Sequence, residues 1–198
     1  MTIIIDYGAG NLFSVQNALD YIGCPAMISG DAEDIAGADR LILPGVGAFP
    51  DAMKMLNEAG LTDVIKSEVK KKPLLGICLG MQMLFERSSE FGDTEGLGLI
   101  PGRVELMTPP GLLIPQIGWN RLLMNEDCPI LAGLGEEPYV YFVHSYAAVC
   151  PSGNVAAYTD YGGNVPACVF AGNVYGCQFH PEKSGEVGLK ILENFVKL

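Results

Sequence analysis

Histidine and tryptophan are scarce in this chain of 198 residues, which holds two of the former and one of the latter. Basic residues are also few: 12 Lys and Arg stand against 23 Asp and Glu, for a formal net charge of -11. A surface that grips nucleic acid or an anionic membrane needs clustered Lys and Arg, so partners of either kind are not expected. The six cysteines (Cys24, Cys78, Cys128, Cys150, Cys168 and Cys177) include no pair at C-x-x-C spacing. With so few histidines beside them there is no zinc pattern, and neither a metal nor another cofactor is expected. No basic segment followed by an apolar core opens the chain, and Asp6 interrupts the first apolar run, so no secretory signal is read. Reduced thiols and a cytoplasmic location follow as expectations. The longest apolar stretch, Pro73 to Phe85, contains Gln82 and falls short of the roughly 20 residues a membrane span requires. It reads as core.

What is present is globular composition on the apolar side, 49% apolar and 18% charged, with no repeat, linker or low-complexity segment. One domain over residues 1–198 is expected. Its organising stretch is Leu74-Leu75-Gly76-Ile77-Cys78-Leu79-Gly80-Met81-Gln82, a buried strand that ends in a cysteine and passes at once into a helix. Glycine on both sides of Cys78 is what a nucleophile elbow needs, because the nucleophile sits on a sharp turn and the chain passes close on either flank. A following helix N-terminus would favour thiolate over thiol.

Around that stretch the first half alternates strand and helix. Thr2 to Ile5 is a strand. Asn11 is placed to cap a helix with Leu12, Val15, Leu19 and Ile22 on its apolar face. The intervening Y-G-A-G-N-L lacks the third glycine of a dinucleotide loop and reads as a tight turn. Pro25 to Ser29 is a strand, Asp31 opens a short helix, and Arg40 to Leu43 is a third strand that breaks into Pro44-Gly45-Val46-Gly47. Phe49 to Glu58 and Leu61 to Lys72 are helical, with Lys70, Lys71 and Lys72 solvated at the helix end. The helix after Cys78 is expected to reach Arg87, and Gly92 to Gly98 is a turn-rich link. From Arg103 the pattern changes to strands over 104–107, 112–114, 120–124, 139–144, 155–158, 167–170 and 174–179, read as antiparallel. The helix 185–198 closes the chain. The fold class is α/β, with a mixed, mostly parallel central sheet flanked by helices and additional antiparallel strands in the C-terminal half.

The two histidines end strand-like segments, in F-V-H-S-Y (His144) and C-Q-F-H-P-E (His180). Glu182 follows His180 across a proline that restricts the backbone. A carboxylate at that spacing can accept from one ring nitrogen while the other faces outward, which sets the tautomer and raises basicity. Set against Cys78, the pair forms a Cys-His-Glu triad. His144 has no adjacent carboxylate and is the weaker candidate.

G-I-C-L-G-M-Q together with C-Q-F-H-P-E resembles the paired signature of class I (triad-type) glutamine amidotransferases. Three further stretches, D-Y-G-A-G-N-L at 6 to 12, P-Q-I-G-W-N at 115 to 120 and F-V-H-S-Y at 142 to 146, are similar to glutaminase subunits that serve a cyclase in histidine biosynthesis. The resemblance implies attack by Cys78 on the side-chain amide of glutamine, proton transfer by His180 and orientation of His180 by Glu182. It also implies an oxyanion hole from the backbone of Leu79 and of Val46 and Gly47, which gives the glycine loop a role that it lacks when read alone. Implied substrate contacts are Gly45, Gln82, Glu90, His144, Ser145 and Tyr146, with Glu95 a competitor for Glu90. The implied partner is a separate cyclase subunit of (β/α)8-barrel type, forming a heterodimer, with Asn11, Gln116, Trp119, Asn120 and Lys183 at the interface. Rival readings are the glutaminase half of another synthase, making pyridoxal phosphate, anthranilate or a folate precursor, an idle scaffold protein, and a cysteine peptidase or deglycase. The stretches at 6 to 12 and 115 to 120 tell against the first, the intact triad residues against the second, and the glutamine-pocket residues against the third.

Overall fold

Every residue of β1 (Thr2–Ile5) and, further along the chain, of β4 (Leu74–Cys78) is buried, the mark of strands covered on both faces. In a computed structural model that describes residues 1–198, these strands are the middle of a layered α/β arrangement. Between them come α1 (Leu12–Tyr21), β2 (Ala26–Ser29), α2 (Ala32–Gly37), β3 (Arg40–Gly45), α3 (Phe49–Glu58) and α4 (Thr62–Glu68). After them come α5 (Leu79–Gln82), β5 (Arg87–Ser88), β6 (Thr94–Glu95), β7 (Arg103–Leu106), β8 (Gln116–Arg121), β9 (Leu123–Met124), β10 (Tyr139–His144), β11 (Tyr146–Val149), β12 (Val155–Asp160), β13 (Asn164–Ala171), β14 (Val174–Cys177) and α6 (Gly185–Val196). The main sheet has eight strands in the order β2-β1-β3-β4-β14-β13-β12-β9. Pairing is parallel from β2 through β14 and antiparallel from there to β9.

The two-residue alternation of side chains along a strand divides the core in two. Ile3, Ile5, Leu41, Leu43 and Leu74 face one way, packing with Ile35, Phe49, Leu56 and Ile65 from α2 to α4 in a cluster of 27 buried residues. Ile4, Ile42, Leu75 and Ile77 face the other way, with Val15 and Leu19 of α1 and Ile191, Leu192 and Phe195 of α6 in a cluster of 26. The near-equal halves explain why the central strands read as continuous apolar runs.

The structure corrects several expectations. The strand expected at 174–179 is not purely antiparallel: β14 runs parallel to β4 and antiparallel only to β13. Residues 112–114 form no strand: they are exposed, and Leu112 N–H closes a turn on the Pro109 carbonyl. The expected strand 120–124 is divided between β8 and β9, which lie in different sheets, and β11 has no counterpart among the expected strands. The Asn11 side chain makes no capping hydrogen bond.

The helix after Cys78 is a single turn, α5, because its continuation loses its acceptors. The carbonyls of Met83, Leu84, Phe85 and Glu86 accept instead from N–H groups of the 96–100 segment. Lys72 is not solvated. It is buried, its ammonium donates to the Ile35 and Ala36 carbonyls at 3.1 and 2.7 Å, and it pairs with Glu68 at 2.8 Å. The run of three lysines hides one that ties α4 to the C-terminal turn of α2.

Candidate active site

Cys78 ends β4 with φ 55° and ψ -111°, a left-handed backbone at a residue other than glycine. Such geometry costs about 1–3 kcal/mol and persists only where the surroundings enforce it. Here the enforcement is close packing on either side. A Cβ on Gly80 would lie 1.8 Å from the Leu43 carbonyl oxygen, and one on Gly76 would lie 2.7 Å from the Gly80 oxygen. The chain can turn this sharply only with glycine at both positions.

Strand register then brings the glycine loop to the sulfur. Gly45 pairs with Cys78 across β3 and β4, so Val46 and Gly47 follow beside the elbow. Neither Val46 nor Gly47 donates its N–H to another backbone group. The buried Tyr7 hydroxyl donates to the Pro44 carbonyl at 3.0 Å and props the loop from behind. Burial, followed by the charge of nearby Cys78, pushes the Tyr7 pKa up, so the phenol stays protonated and remains a donor.

His180 arrives on the chain that continues β14. Its backbone N–H donates to the Tyr141 carbonyl at 3.0 Å, and its own carbonyl accepts from Ser184 Oγ at 2.6 Å. The ring Nδ1 lies 2.8 Å from Glu182 Oε1, with the two side chains only 4% and 1% exposed. That leaves Nε2 for the thiol. Burial by itself would lower the His180 pKa, but hydrogen bonding to Cys78 and Glu182 and the charge on each outweigh it, and the value is pushed up to about 9. The Cys78 sulfur also meets the Val143 carbonyl at 4.0 Å and Gln178 Nε2 at 3.9 Å.

These groups open on a cleft of about 290 Å³ lined by Val46, Gly47, Cys78, Leu79, Gln82, Glu90, Val143, His144, Ser145, Tyr146 and His180. Its size suits an amino acid better than a larger ligand. Glu90 Oε2 accepts the Phe49 N–H at 2.8 Å, the first residue of α3. Glu95 lies on β6 and takes no part in the cleft. In the neutral ring of His144, Nδ1–H donates to the Tyr146 carbonyl at 2.8 Å, and Nε2 lies 3.1 Å from the side-chain amide of Gln116. Burial depresses its pKa to about 4, against a smaller raising effect of the Tyr146 hydrogen bond. It is a neutral wall of the cleft. No group of three or more His, Cys, Asp or Glu side chains is arranged to hold a metal ion.

Two expected residues lie elsewhere. Gly45 is buried and borders a gap too small for a water molecule, shared with Asn11, Val46, Ile77, His180 and Glu182, rather than the cleft. Gln116, expected on a partner-facing surface, is wholly buried and braces His144 and Asn120. Its strand alternates, so Ile117 and Trp119 are exposed at 61% and 54%. Lys183 is exposed and Asn11 and Asn120 are half-buried. Sequence reasoning assigned nothing to Tyr7, Val143 or Gln178. Only Gln178 carried a signal, its place two residues before His180 on an alternating strand.

A family model described as glutamine amidotransferase class-I matches residues 3–198. Proteins named imidazole glycerol phosphate synthase subunit HisH are similar over nearly their whole length. That of Caldanaerobacter subterraneus subsp. tengcongensis is 53% identical over 97% of this chain and 95% of its own. Those of Bacillus cereus and Geobacillus thermodenitrificans are each 52% identical over 98% of this chain and 93% of theirs. Among solved structures, one described as a glutamine amidotransferase superposes with a TM-score of 0.76 at 23% identity, covering 98% of both chains. A chain of the structure described as PurLQS from Thermotoga maritima superposes with a TM-score of 0.76 at 22% identity, over 99% of this chain and 97% of that one. At such identities the structural likeness speaks for the fold alone.

Proposed function

The chain belongs to the class I glutamine amidotransferases, and we propose that it is the glutaminase subunit of an imidazole glycerol phosphate synthase, with Cys78, His180 and Glu182 as its triad. Its activity is hydrolysis of glutamine to glutamate and ammonia. Cys78 Sγ, its proton already passed to His180 Nε2, attacks the side-chain amide carbon. The carbonyl electron pair moves to the oxygen, and N–H groups of Leu79 and of Val46 or Gly47 stabilise that oxyanion. Such a donor is typically worth about 10²–10³ in turnover. As the tetrahedral intermediate collapses, the proton on His180 passes to the departing nitrogen and ammonia leaves a thioester on Cys78. Water, deprotonated by the now neutral His180, adds to the thioester and expels the thiolate. Glu182 holds the ring tautomer throughout. Gln82, Glu90, Ser145 and Tyr146 bind the substrate, with His144 as a neutral neighbour.

The released ammonia passes to a cyclase subunit of (β/α)8-barrel type, which binds a phosphorylated ribonucleotide intermediate and carries the lyase half of the reaction. The two chains form a cytoplasmic heterodimer. The exposed Trp119 and Ile117 of β8 support a docking face there, since exposed aromatic anchors are enriched at interfaces. Lys183, directly after the triad glutamate, with Asn11 and Asn120, extends it. No helix is long and apolar enough to cross a membrane.

The observation that carries this reading is His180, held at 2.8 Å by the buried Glu182 carboxylate and lining the cleft beside Cys78. Glutamine-dependent and ammonia-dependent synthesis by the two-subunit complex test it. Cys78→Ala is expected to abolish the first and spare the second. Retention of glutamine-dependent synthesis would exclude Cys78 as nucleophile, and loss of both activities would make its role structural.

A further inference from the structure

Gln178 is wholly buried, stands in the same motif as His180, and has no part in the steps described above. Strand register brings it to the sulfur. β14 pairs in parallel with β4 through Cys177 opposite Ile77, so the next residues along, Gln178 and Cys78, come level. Side chains alternate along extended chain. Phe179 turns into the core, its ring edge-on to Phe142 with centroids 5.7 Å apart, and Gln178 and His180 share the opposite side.

The neighbours dictate which end of the Gln178 amide faces which way. The Tyr146 carbonyl can only accept, so Gln82 must turn its NH2 toward it, at 3.0 Å. The second hydrogen of that NH2 goes to Gln178 Oε1 at 3.0 Å. With its oxygen committed, Gln178 presents its own NH2 to the sulfur, Nε2 to Sγ 3.9 Å. Turning the amide over would set oxygen against sulfur and two NH2 groups against each other. Besides His180 the sulfur also meets the Val143 carbonyl at 4.0 Å, which can only accept and so favours S–H. The Gln178 NH2 favours the thiolate. Since α5 is one turn long, there is no extended helix behind the elbow to add a dipole.

We propose that Gln178 is a catalytic residue of the glutaminase: its side-chain NH2 donates to Cys78 Sγ and stabilises the attacking thiolate, while its carbonyl holds Gln82 at the substrate. This rests on the reading of Cys78 as nucleophile. The amide neither gains nor loses a proton. Forming the thiolate moves one proton, from Sγ to His180, and the same donor serves again when water expels the thiolate from the thioester.

Two substitutions separate the amide's two ends. Gln178→Met removes donor and acceptor at similar volume. Gln178→Glu, ionised, keeps an acceptor for Gln82 and offers the sulfur no hydrogen. Both are made in the full chain assembled with its cyclase partner and nucleotide, and iodoacetamide labelling of Cys78 is followed against pH by peptide mapping. Both variants should label about tenfold more slowly near neutral pH, with the labelling profile moved to higher pH, and kcat should fall by about 10- to 100-fold. In Gln178→Glu the KM for glutamine should stay within about twofold. Co-elution with the cyclase and the melting curve report on folding, and if only Gln178→Met misfolds, Gln178→Glu decides.

An unmoved labelling profile in a folded variant overturns the proposal even where turnover falls, because a packing role would lower turnover without moving it. Misfolding of both variants also overturns it and makes Gln178 part of the scaffold. Cys78→Ala, assayed alongside, separates the two readings. If it retains glutamine-dependent turnover the nucleophile assignment fails; if it is inactive while the Gln178 variants match the parent, only the role of Gln178 fails.

Discussion

Glu182 and His180 meet at 2.8 Å with both side chains almost completely buried, while the other histidine, His144, is held by a carbonyl and an amide only. Burial depresses the His144 pKa to about 4, whereas for His180 burial is outweighed by hydrogen bonding to Cys78 and to Glu182 and the value is pushed up to about 9. With two histidines in the chain, NMR of the ring protons reads both directly. His180 is expected to stay protonated well above pH 7 and His144 neutral well below pH 6. A titration of either near 6.5 would contradict the geometry.

The same pair gives a pH dependence of stability with a definite sign. For His180 the folded pKa is raised, so its contribution is fully present below about 6.5 and is lost as pH climbs through about 9. For His144 the folded pKa is depressed, so its contribution is present above about 6.5 and is lost as pH falls through about 4. Stability should peak near pH 6.5, with each limb worth up to about 3 kcal/mol. Urea unfolding at three pH values checks this. His180→Asn should flatten the alkaline limb and His144→Asn should reduce the acid one.

Lys72 offers a test of the α2–α4 contact. Lys72→Ala removes the donor to two carbonyls, of Ile35 and Ala36, and should cost about 2 kcal/mol in unfolding free energy. Lys71→Ala, at a residue whose side chain is 65% exposed, should change stability by less than about 0.5 kcal/mol. Equal effects for the two lysines would mean that the burial of Lys72 carries no energetic weight.

Glu90 and Glu95 separate cleft from surface. Glu90→Gln should raise the KM for glutamine about tenfold or more, through lost charge at the cleft and a weakened hold on the Phe49 N–H. Glu95→Gln should leave steady-state kinetics unchanged. The opposite ranking would move the substrate away from this wall.

Trp119→Ala should weaken association with the cyclase by about 2 kcal/mol, roughly 30-fold in Kd, while leaving the melting temperature of the isolated chain within about 2 °C. An unchanged Kd by calorimetry would take the docking face away from β8.

Much of this was legible in the sequence because it depends on local chemistry. Glycine flanking Cys78 announces the turn, and two-residue spacing predicts the approach of Glu182 to His180. The alternation of β1, β3 and β4 with helices predicts the parallel half of the sheet. What was not legible depends on partners distant in the chain. β14 reads like its antiparallel neighbours because its own side chains cannot say that β4 waits beside it. The helix after Cys78 looks longer in sequence because nothing in residues 83–87 reveals that the 96–100 segment will take their carbonyls. Lys72 looks solvated beside Lys70 and Lys71 because its acceptors come from α2. Gln116 reads as a surface residue yet is the brace behind His144, one place out of step with the exposed Ile117 and Trp119.

The central claim, that Cys78 supplies the sulfur of the thioester, is tested most directly by a diazoketone analogue of glutamine, which alkylates the thiol that attacks the substrate. In the complex with cyclase and nucleotide, peptide mapping should find the label on Cys78 alone, with glutamine protecting it. Loss of glutamine-dependent synthesis should track the labelling while ammonia-dependent synthesis continues. Label on another cysteine, or loss of glutamine-dependent activity with Cys78 unmodified, would contradict the account.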